Sequence, residues 1–377
     1  MNRRGVWAVM LLTALWVVMP KAWGQRPPET HPVSATQNIV MSWDRSAMPG
    51  DVVLMPPRTL LGYDHTNLSL QYGALHLVCL SDSDATRGAC PTDNTNEHSL
   101  GLRDIRLTFT ESRSQMRTEL SIRGGVERAL SGRSCLGNFW QNGIFAPWTG
   151  YGTACAFDEP AGTGAQLSLG EAELRKLVAG VWSAKLELSV QTPGARNLAV
   201  QVYTFDLTIT DRNAVSIYFP AFHHVTPLVQ LNSDYDPIRQ TVGGRTSLEM
   251  CLYDGLGSQA QYLGVTVRDR SGKPPGPSGY SLWHTDGGSD DTRRLDYTVT
   301  LDHNGAPVSM PNGVEQQLHG IDTAQLRLVL LPGMSQPVFC VPTPITFDIP
   351  RVPISTQQAG TYFGELQVEL RVPTVTP

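Results

Sequence analysis

Apolar and polar residues alternate with a period of two over much of the chain. Ile105, Leu107 and Phe109 are separated by polar residues, and the same pattern returns at 186–190 and 202–209. Strands of antiparallel sheets show this alternation because they bury one face and expose the other. The pattern therefore predicts an all-β protein with antiparallel sheets.

Only one short stretch has a helical pattern. Residues 171–177 are rich in helix-forming side chains, and Gly180 follows shortly after them. Glycine is unfavourable inside a helix and commonly ends one. The sequence thus predicts one or two helical turns between strands.

The chain of 377 residues is long enough for two domains, each with its own core. A polar turn at Asp211-Arg212-Asn213 separates two strand-like regions, and such residues favour turns. We therefore expect an N-terminal domain over residues 25–211, a linker over 212–214 and a C-terminal domain over 215–377. The 35 glycines, 27 prolines and only 17% charged residues suit β-sandwiches better than helical bundles.

The first residues have the pattern of a signal peptide. Arg3 and Arg4 give a basic start, an apolar run follows over 6–19, and small residues precede a cleavage position ahead of Gln25. The run is short for a helix that spans a bilayer. The pattern predicts a signal peptide over residues 1–24 and an exported mature chain, with a membrane anchor as the alternative.

The net charge argues against some partners. Removal of residues 1–24 takes away three basic residues and no acidic one, which changes the formal net charge from −5 to −8. No basic tract remains that would attract nucleic acid or an anionic membrane surface. We expect no nucleic-acid partner.

All six cysteines lie after the predicted signal peptide. In an oxidising compartment an even number of cysteines usually forms disulfides. Sequence alone does not choose among the pairings, but chain order suggests three pairs: Cys79–Cys90, Cys135–Cys155 and Cys251–Cys340. A zinc site is disfavoured, because no Cys-x-x-Cys occurs and His223-His224 has no cysteine at ligand spacing. We expect no metal and no cofactor.

The end of the chain contains the most regular alternation. Five apolar residues share one face of a predicted strand: Tyr362, Leu366, Val368, Leu370 and Val372. Proline cannot donate to a ladder, and a proline-rich end follows, so no further strand is expected to cover this one. The strand would then leave an apolar groove open, unless it is already paired on both sides.

Several segments together have a specific order and spacing. They are Cys79-Leu80-Ser81 with Gly88-Ala89-Cys90-Pro91, Leu-Thr-Phe-Thr-Glu-Ser-Arg-Ser at 107–114, Glu-Leu-Ser-Ile-Arg-Gly at 119–124, Gly180-Val181-Trp182, Met-Cys-Leu-Tyr-Asp-Gly at 250–255 and Ala-Gly-Thr-Tyr-Phe-Gly at 359–364. In these segments the chain resembles the CfaE/CblD family, the minor tip subunits and initiators of class 5 (alternate chaperone–usher) fimbriae. The resemblance covers about residues 60 to 372.

The resemblance implies two immunoglobulin-like β-sandwich domains, an N-terminal adhesin domain and a C-terminal pilin domain. In that family the pilin fold is incomplete, and donor-strand exchange completes it. A periplasmic pilus chaperone fills the gap first, and at the outer-membrane usher a strand of the major pilin replaces it. This implies export through the periplasm to the cell surface and a place at the fimbrium tip. The segment 37–43 is strand-like, so a donor role for it is the competing interpretation.

Some members of that family place receptor-binding arginines on the adhesin domain. The corresponding positions carry Ala74, Thr192 and Pro193 in this chain, so those roles are not carried over. Arg196 lies close by in sequence and is a candidate substitute. Its competing interpretation is an ordinary solvated loop arginine.

The segment between Cys135 and Cys155 supplies other candidates for receptor binding. It contains Trp140, Trp148 and Tyr151 among glycines and asparagines. Aromatic side chains on a tethered loop present rigid area that can stack on sugar faces. The alternative is that these rings cap the core of the sandwich.

Catalytic motifs are missing from the sequence. No Gly-x-Ser-x-Gly, His-Glu-x-x-His, phosphate-binding loop or dinucleotide-binding glycine pattern occurs. We therefore expect a binding protein and not an enzyme. The resemblance implies a minor fimbrial subunit at the pilus tip that initiates pilus assembly and adheres to host-cell glycans or glycoproteins. A structural initiator without receptor binding and a secreted β-sandwich hydrolase are the alternatives.

Overall fold

The computed structural model describes residues 25–133, 137–152, 159–222 and 226–373. The predicted signal peptide, Cys135 and Cys155 lie outside these ranges. Within the described ranges the chain consists of strands, turns and short 3₁₀ turns, with α-helix only at Glu171–Leu174. None of the helices described is long and apolar enough to cross a membrane.

The N-terminal module is built on one eight-stranded sheet. Its order is β1-β8-β7-β4-β5-β6-β2, and β3 pairs with β7 off this path. The strands are β1 (Ala35–Asp44), β2 (Val52–Tyr63), β3 (His76–Val78), β4 (Arg103–Glu111), β5 (Arg117–Leu130), β6 (Pro160–Leu169), β7 (Gly180–Thr192) and β8 (Arg196–Thr210). The predicted helix is α1 (Glu171–Leu174), a single turn between β6 and β7.

The alternation seen in the sequence matches the burial in this module. Ile105, Leu107 and Phe109 on β4 are fully buried, while the residues between them are at least partly exposed. Phe109 meets Phe205 of β8 edge to face, with ring centroids 5.2 Å apart. The inward residues of several strands thus form one continuous core.

Strand β1 is the exception to the antiparallel pattern. It runs parallel to β8 in unbroken register, from Ala35 opposite Gln201 to Asp44 opposite Thr210. Ile39 and Trp43 of β1 are buried in the core. The segment 37–43 is therefore a strand of its own module.

The C-terminal module divides its strands among three sheets. Their orders are β10-β11-β20-β15-β14-β21 with β16 on β15, β18-β19-β12-β9, and β17-β13-β22. The strands are β9 (Ser216–Tyr218), β10 (Asp234–Asp236), β11 (Thr241–Leu248), β12 (Cys251–Tyr253), β13 (Tyr262–Asp269), β14 (Tyr280–His284), β15 (Arg294–His303), β16 (Ala306–Ser309), β17 (Gln316–His319), β18 (Arg327–Val329), β19 (Val338–Pro342), β20 (Ile345–Pro353), β21 (Tyr362–Phe363) and β22 (Leu366–Arg371).

Each module contains a disulfide bond within the described residues. Cys79 and Cys90 join a loop just after β3, over a sequence separation of 11 residues. Cys251 on β12 bonds to Cys340 on the adjacent β19, over a separation of 89 residues. The second bond therefore links two neighbouring strands that are distant in sequence.

The predicted last strand is divided into two strands. Tyr362 belongs to β21, which pairs with β14, whereas Leu366 begins β22, which pairs with β13. Between them a Cβ at Gly364 would lie 3.0 Å from both Leu282 Cδ2 and the Ser281 carbonyl oxygen. The absence of a side chain at Gly364 allows this close approach to β14, at the point where the chain passes from one sheet to the other. The prediction that Tyr362 shares a strand face with the other four residues is therefore wrong.

Candidate functional site

Strand β22 lies at the edge of its sheet. It pairs antiparallel with β13, from Leu366 opposite Asp269 to Arg371 opposite Gly264, and the sheet order places no described strand on its other side. An edge strand presents backbone N–H and C=O groups that can pair with another polypeptide. We call β22 together with Val372 the C-terminal edge.

The apolar side chains of the C-terminal edge are covered on one side only. Its four apolar residues pack against the core of the C-terminal module but are only partly buried: Leu366, Val368, Leu370 and Val372. The adjacent strand contrasts sharply, because Val265 and Val267 of β13 have no exposed area. The edge therefore retains apolar surface that another chain could cover.

A second edge borders the same core. Strand β9 pairs only with β12 among the described strands. After β9, Val229 and Leu231 pack partly buried against the core that the C-terminal edge also contacts, and Leu228 is 80% exposed. The C-terminal module thus has partly exposed apolar residues near the start of its chain as well as at its end.

Polar pairs fix the other face of β22. Arg371 donates from Nε to Glu315, at 2.7 Å, and Arg268 of β13 lies 3.5 Å from Glu369. The hydrogen bond from Arg371 lowers the pKa of Glu315, and the same bond raises the pKa of Arg371. These contacts hold β22 in register while its outer edge stays unpaired in the described structure.

The candidate aromatic residues of the N-terminal module lie against the protein. Trp140 packs over the backbone of β6, so that a Cβ at Gly164 would come within 2.7 Å of its ring, and the Arg58 guanidinium lies 5.1 Å from its centroid. Tyr151 and Trp148 are partly buried against the core. This packing is what the core-capping alternative expects of them.

Arg196 is placed differently from those aromatic residues. It is exposed in the hairpin between β7 and β8, directly opposite Thr192, and Thr192 is itself 3% exposed. Burial raises the pKa of the Tyr72 phenol, and the nearby Arg196 charge opposes that rise. Arg196 therefore lies near the 3₁₀ turn Tyr72–Ala74, which contains one of the positions where the family resemblance would place an arginine.

Two motifs found in the sequence lie where the modules meet. The Glu111 carboxylate accepts hydrogen bonds from the backbone N–H of Ser114, at 2.6 Å, and of Val181, at 3.2 Å. Arg113 donates to the carbonyl oxygens of Ile321, at 3.4 Å, and Ala324 in the C-terminal module. Sequence reasoning recognised this segment as a family motif but did not predict that it joins the modules.

The second of these motifs is the turn after β12. Asp211 donates its N–H to the Gly255 carbonyl oxygen, at 2.7 Å, and Gly255 adopts φ +67°, which favours glycine. A Cβ there would lie 2.4 Å from the Asp211 carbonyl oxygen. The turn therefore needs glycine for two reasons, its backbone conformation and this close approach.

Arg128 is another residue that the sequence pattern did not reveal. It has no exposed area, and it donates to the carbonyl oxygens of Leu75, at 2.7 Å, and Tyr151, at 3.0 Å. Burial lowers the pKa of its guanidinium to about 9. Arg128 ties loops of the N-terminal module together, and no local motif would have indicated this. No group of three or more potential metal ligands occurs among the residues described.

Comparisons with known proteins agree with this architecture. The family models for the first and the second domain of CfaE, a fimbrial protein of CFA/I, match residues 20–212 and 215–374. CfaE of Escherichia coli is 28% identical over 313 residues, which cover 79% of this chain and 80% of that protein.

Two solved structures have the same fold. The crystal structure of CfaE, the adhesive subunit of CFA/I fimbria of enterotoxigenic Escherichia coli, matches with a TM-score of 0.69 and 24% identity, over 93% of this chain and 95% of that chain. A chaperone–tip adhesin complex, described as vital for synergistic activation of CFA/I fimbriae biogenesis, matches with a TM-score of 0.64 and 23% identity, over 93% and 99% of the two chains. The predicted class of two β-sandwich domains is confirmed. The chain belongs to the CfaE family of fimbrial proteins.

Proposed function

We propose that this protein is the adhesive tip subunit of a bacterial fimbria, and that it starts the fibre by accepting a strand at the C-terminal edge. The observation that carries this proposal is the half-covered apolar face of β22 beside an unpaired backbone edge. The similar CfaE protein is the adhesive subunit of its fimbria, which supports the same role.

Strand addition explains why such an edge is useful. An incoming strand pairs with the free backbone groups and places alternate side chains against the apolar residues. Each apolar side chain that becomes fully buried contributes about 1.5–3 kcal/mol before the cost of ordering. Four or five of them would contribute about as much as the stability of a whole domain. We therefore expect the C-terminal module to be marginally stable without its donor.

The position of β1 supports a place at the start of the fibre. A subunit further along the fibre must donate a strand to its neighbour, but β1 is paired over its whole length with β8 of its own module. The residues just before it are also attached, because Thr30 pairs with Tyr63 of β2. A subunit that accepts a strand and retains its own strand can only begin a fibre.

The proposal requires a defined set of partners. A periplasmic pilus chaperone covers the C-terminal edge first, as the similar chaperone–tip adhesin complex suggests. The outer-membrane usher then exchanges the chaperone for the donor strand of the major pilin. The protein reaches the cell surface through the periplasm, and there its N-terminal module binds a glycan or glycoprotein of the host cell.

Expression of the mature chain alone, and fused to the N-terminal peptide of its cognate major pilin, tests the acceptor role. We expect only the fused form to be monomeric by size-exclusion chromatography, and we expect it to unfold at a clearly higher temperature than the free chain. A fusion whose apolar donor residues are replaced by aspartate is the control. Equal stability of the free and fused chains would contradict the proposal.

Receptor binding needs its own test, with the donor-fused full chain on a glycan array. Binding to a defined set of glycans supports the adhesive role. Absence of binding, together with normal fibre assembly in bacteria, would favour the structural initiator instead. Arg196, Trp140, Trp148 and Tyr151 are the residues proposed from the sequence, and alanine variants of each would show which of them contacts the receptor.

A further inference from the structure

A notch opens on the outer face of the N-terminal sheet where β4 and β7 separate. These strands pair at only two positions, Thr110 with Ser183 and Glu111 with Trp182. Farther along, a loop lies between them, because Thr108 donates its N–H to Ala85 and Glu187 donates its N–H to Arg87. The result is an open cavity with a volume of about 390 Å³, which we call the sheet notch.

Hydroxyl groups line the sheet notch. Thr108, Thr110 and Ser183 contribute side chains to its wall, and all three belong to positions on their strands that face away from the core. Their hydroxyls hydrogen-bond to no other described residue. Each hydroxyl can both donate and accept, so the notch offers a group of polar atoms that a ligand can pair with.

Two charged residues flank these hydroxyls. Arg117 lies opposite Thr110 on β5, and Asp206 lies opposite Ser183 on β8. These pairs and the pair of Thr110 with Ser183 form a row of four residues across four strands. Because neighbouring strands are about 4.8 Å apart, the row is about 14 Å long. Neither charged residue forms a salt bridge with any described residue, and two strands separate them. The row is as long as a short oligosaccharide.

The wall of the notch is held in place from several sides. Phe205 contributes to it from β8 and has 1% exposure, with Phe109 packed against it in the core. The Cys79–Cys90 disulfide closes the loop that separates β4 from β7. Groups on paired strands need little ordering when a ligand binds, which favours affinity.

From this arrangement we infer that the sheet notch binds an uncharged oligosaccharide. Asp206 accepts hydrogen bonds from sugar hydroxyls, Arg117 donates to sugar oxygens, and the hydroxyls between them do both. At one end of the row Asp206 would repel an acidic sugar, and at the other end Arg117 would repel a cationic ligand. Lys185, which also lines the notch, lies 3.6 Å from Glu187, and it shares that carboxylate with Arg87. This inference rests on the proposed adhesive function and assigns that function to a surface of the chain.

The test uses the donor-fused full chain and a glycan array that contains neutral, sialylated and sulfated glycans. We expect binding to neutral glycans, and a loss of affinity of about tenfold or more for Asp206→Asn and for Arg117→Gln, since hydrogen bonds to charged groups have that strength. A double variant with Thr110→Val and Ser183→Ala should also lose affinity. Thr208→Val, on the outward face of β8 but outside the notch, is the matched control and should bind normally. Unchanged melting temperatures would show that the variants fold.

The outcomes separate the inference from the proposed function. Loss of binding with Arg196→Ala, while the notch variants bind normally, would overturn the sheet notch and leave the adhesive function intact. Binding to sialylated or sulfated glycans alone would also overturn it. If the unaltered chain binds no glycan although fibres assemble, the receptor-binding part of the proposed function fails, and the notch fails with it.

Discussion

The two ends of the chain contain strands with similar alternation but different surroundings. Both β1 and β22 are the last strands of their sheets, but β1 buries Ile39 and Trp43 in the core, whereas the apolar residues of β22 are only partly buried. Val267 has no exposed area, and Val368 opposite it is only partly buried. Alternation thus determines which face of a strand is apolar, while the packing of the rest of the module determines how far that face is buried.

Removal of β1 should have the largest effect, because it would uncover β8 and part of the core of the N-terminal module. Deletion of residues 25–44 removes the buried Ile39 and Trp43, and the loss of one buried tryptophan alone costs about 3–5 kcal/mol. We expect this module of the donor-fused chain to lose its cooperative transition in calorimetry. Deletion of residues 25–34 is the control and should be milder. If the N-terminal module still unfolded cooperatively without β1, the view that β1 belongs to the core of this module would be contradicted.

Loss of the Cys251–Cys340 disulfide should have the second largest effect on stability. Cys251→Ala with Cys340→Ala releases a closed loop with a separation of 89 residues, for which chain entropy predicts about 4.5 kcal/mol. Cys79→Ala with Cys90→Ala releases a separation of 11, for which the same relation predicts about 3 kcal/mol. Denaturant unfolding of donor-fused variants measures both. An equal or opposite ranking would show that strain or unfolded-state structure outweighs loop length.

Shortening of one side chain of the C-terminal edge should have a moderate effect on stability, and this effect should depend on the donor strand. Val368→Ala should cost about 2 kcal/mol in the fused chain, where the side chain is covered, and less than about 1 kcal/mol in the free chain. Val267→Ala is a matched control, since this valine pairs with Val368 and is buried without a donor. Its cost should be equal in both forms. The same donor dependence at both positions would show that the edge is not the acceptor.

The smallest expected effect concerns the polar face of β22. Because the Arg371 hydrogen bond lowers the pKa of Glu315 in the folded state, the stabilisation is present above the unfolded pKa of about 4.5. It is lost as the pH falls through the lowered value. The melting temperatures of the unaltered chain and Glu315→Gln should therefore differ at neutral pH and converge in acid. The control is Glu119→Gln, which alters an exposed pair with Arg106 of the N-terminal module. If only this control, and not Glu315→Gln, reached the melting temperature of the unaltered chain in acid, the role assigned to Glu315 would be contradicted.

The sequence predicted what depends on local patterns. Alternation at Ile105, Leu107 and Phe109 predicted strands with one buried face, and the all-β class follows from many such segments. It could not predict the division after Phe363, because that division depends on the close approach of Gly364 to β14. A local pattern does not contain the distance between strands that are remote in sequence.

The candidate sites were harder to predict for the same reason. The aromatic residues between Cys135 and Cys155 have a composition that suits sugar binding, yet Trp140 lies on the backbone of β6. The sheet notch brings together residues of four strands, so no single segment indicates it. Arg128 is buried among carbonyl oxygens from separate loops. Whether a side chain caps the core or faces a ligand is decided by tertiary packing.

The parallel direction of β1 determines at which end of the N-terminal module the residues before it lie. Ala35 pairs with Gln201, in the half of β8 that leads from the hairpin with Arg196, and Asp44 pairs with Thr210, beside the junction with the C-terminal module. A peptide epitope or fluorescent label attached ahead of Gln25 would therefore lie on the side of the N-terminal module that is remote from this junction. With the protein at the proposed place at the fimbrial tip, such an attachment would face outward from the fibre, so it would suit surface display.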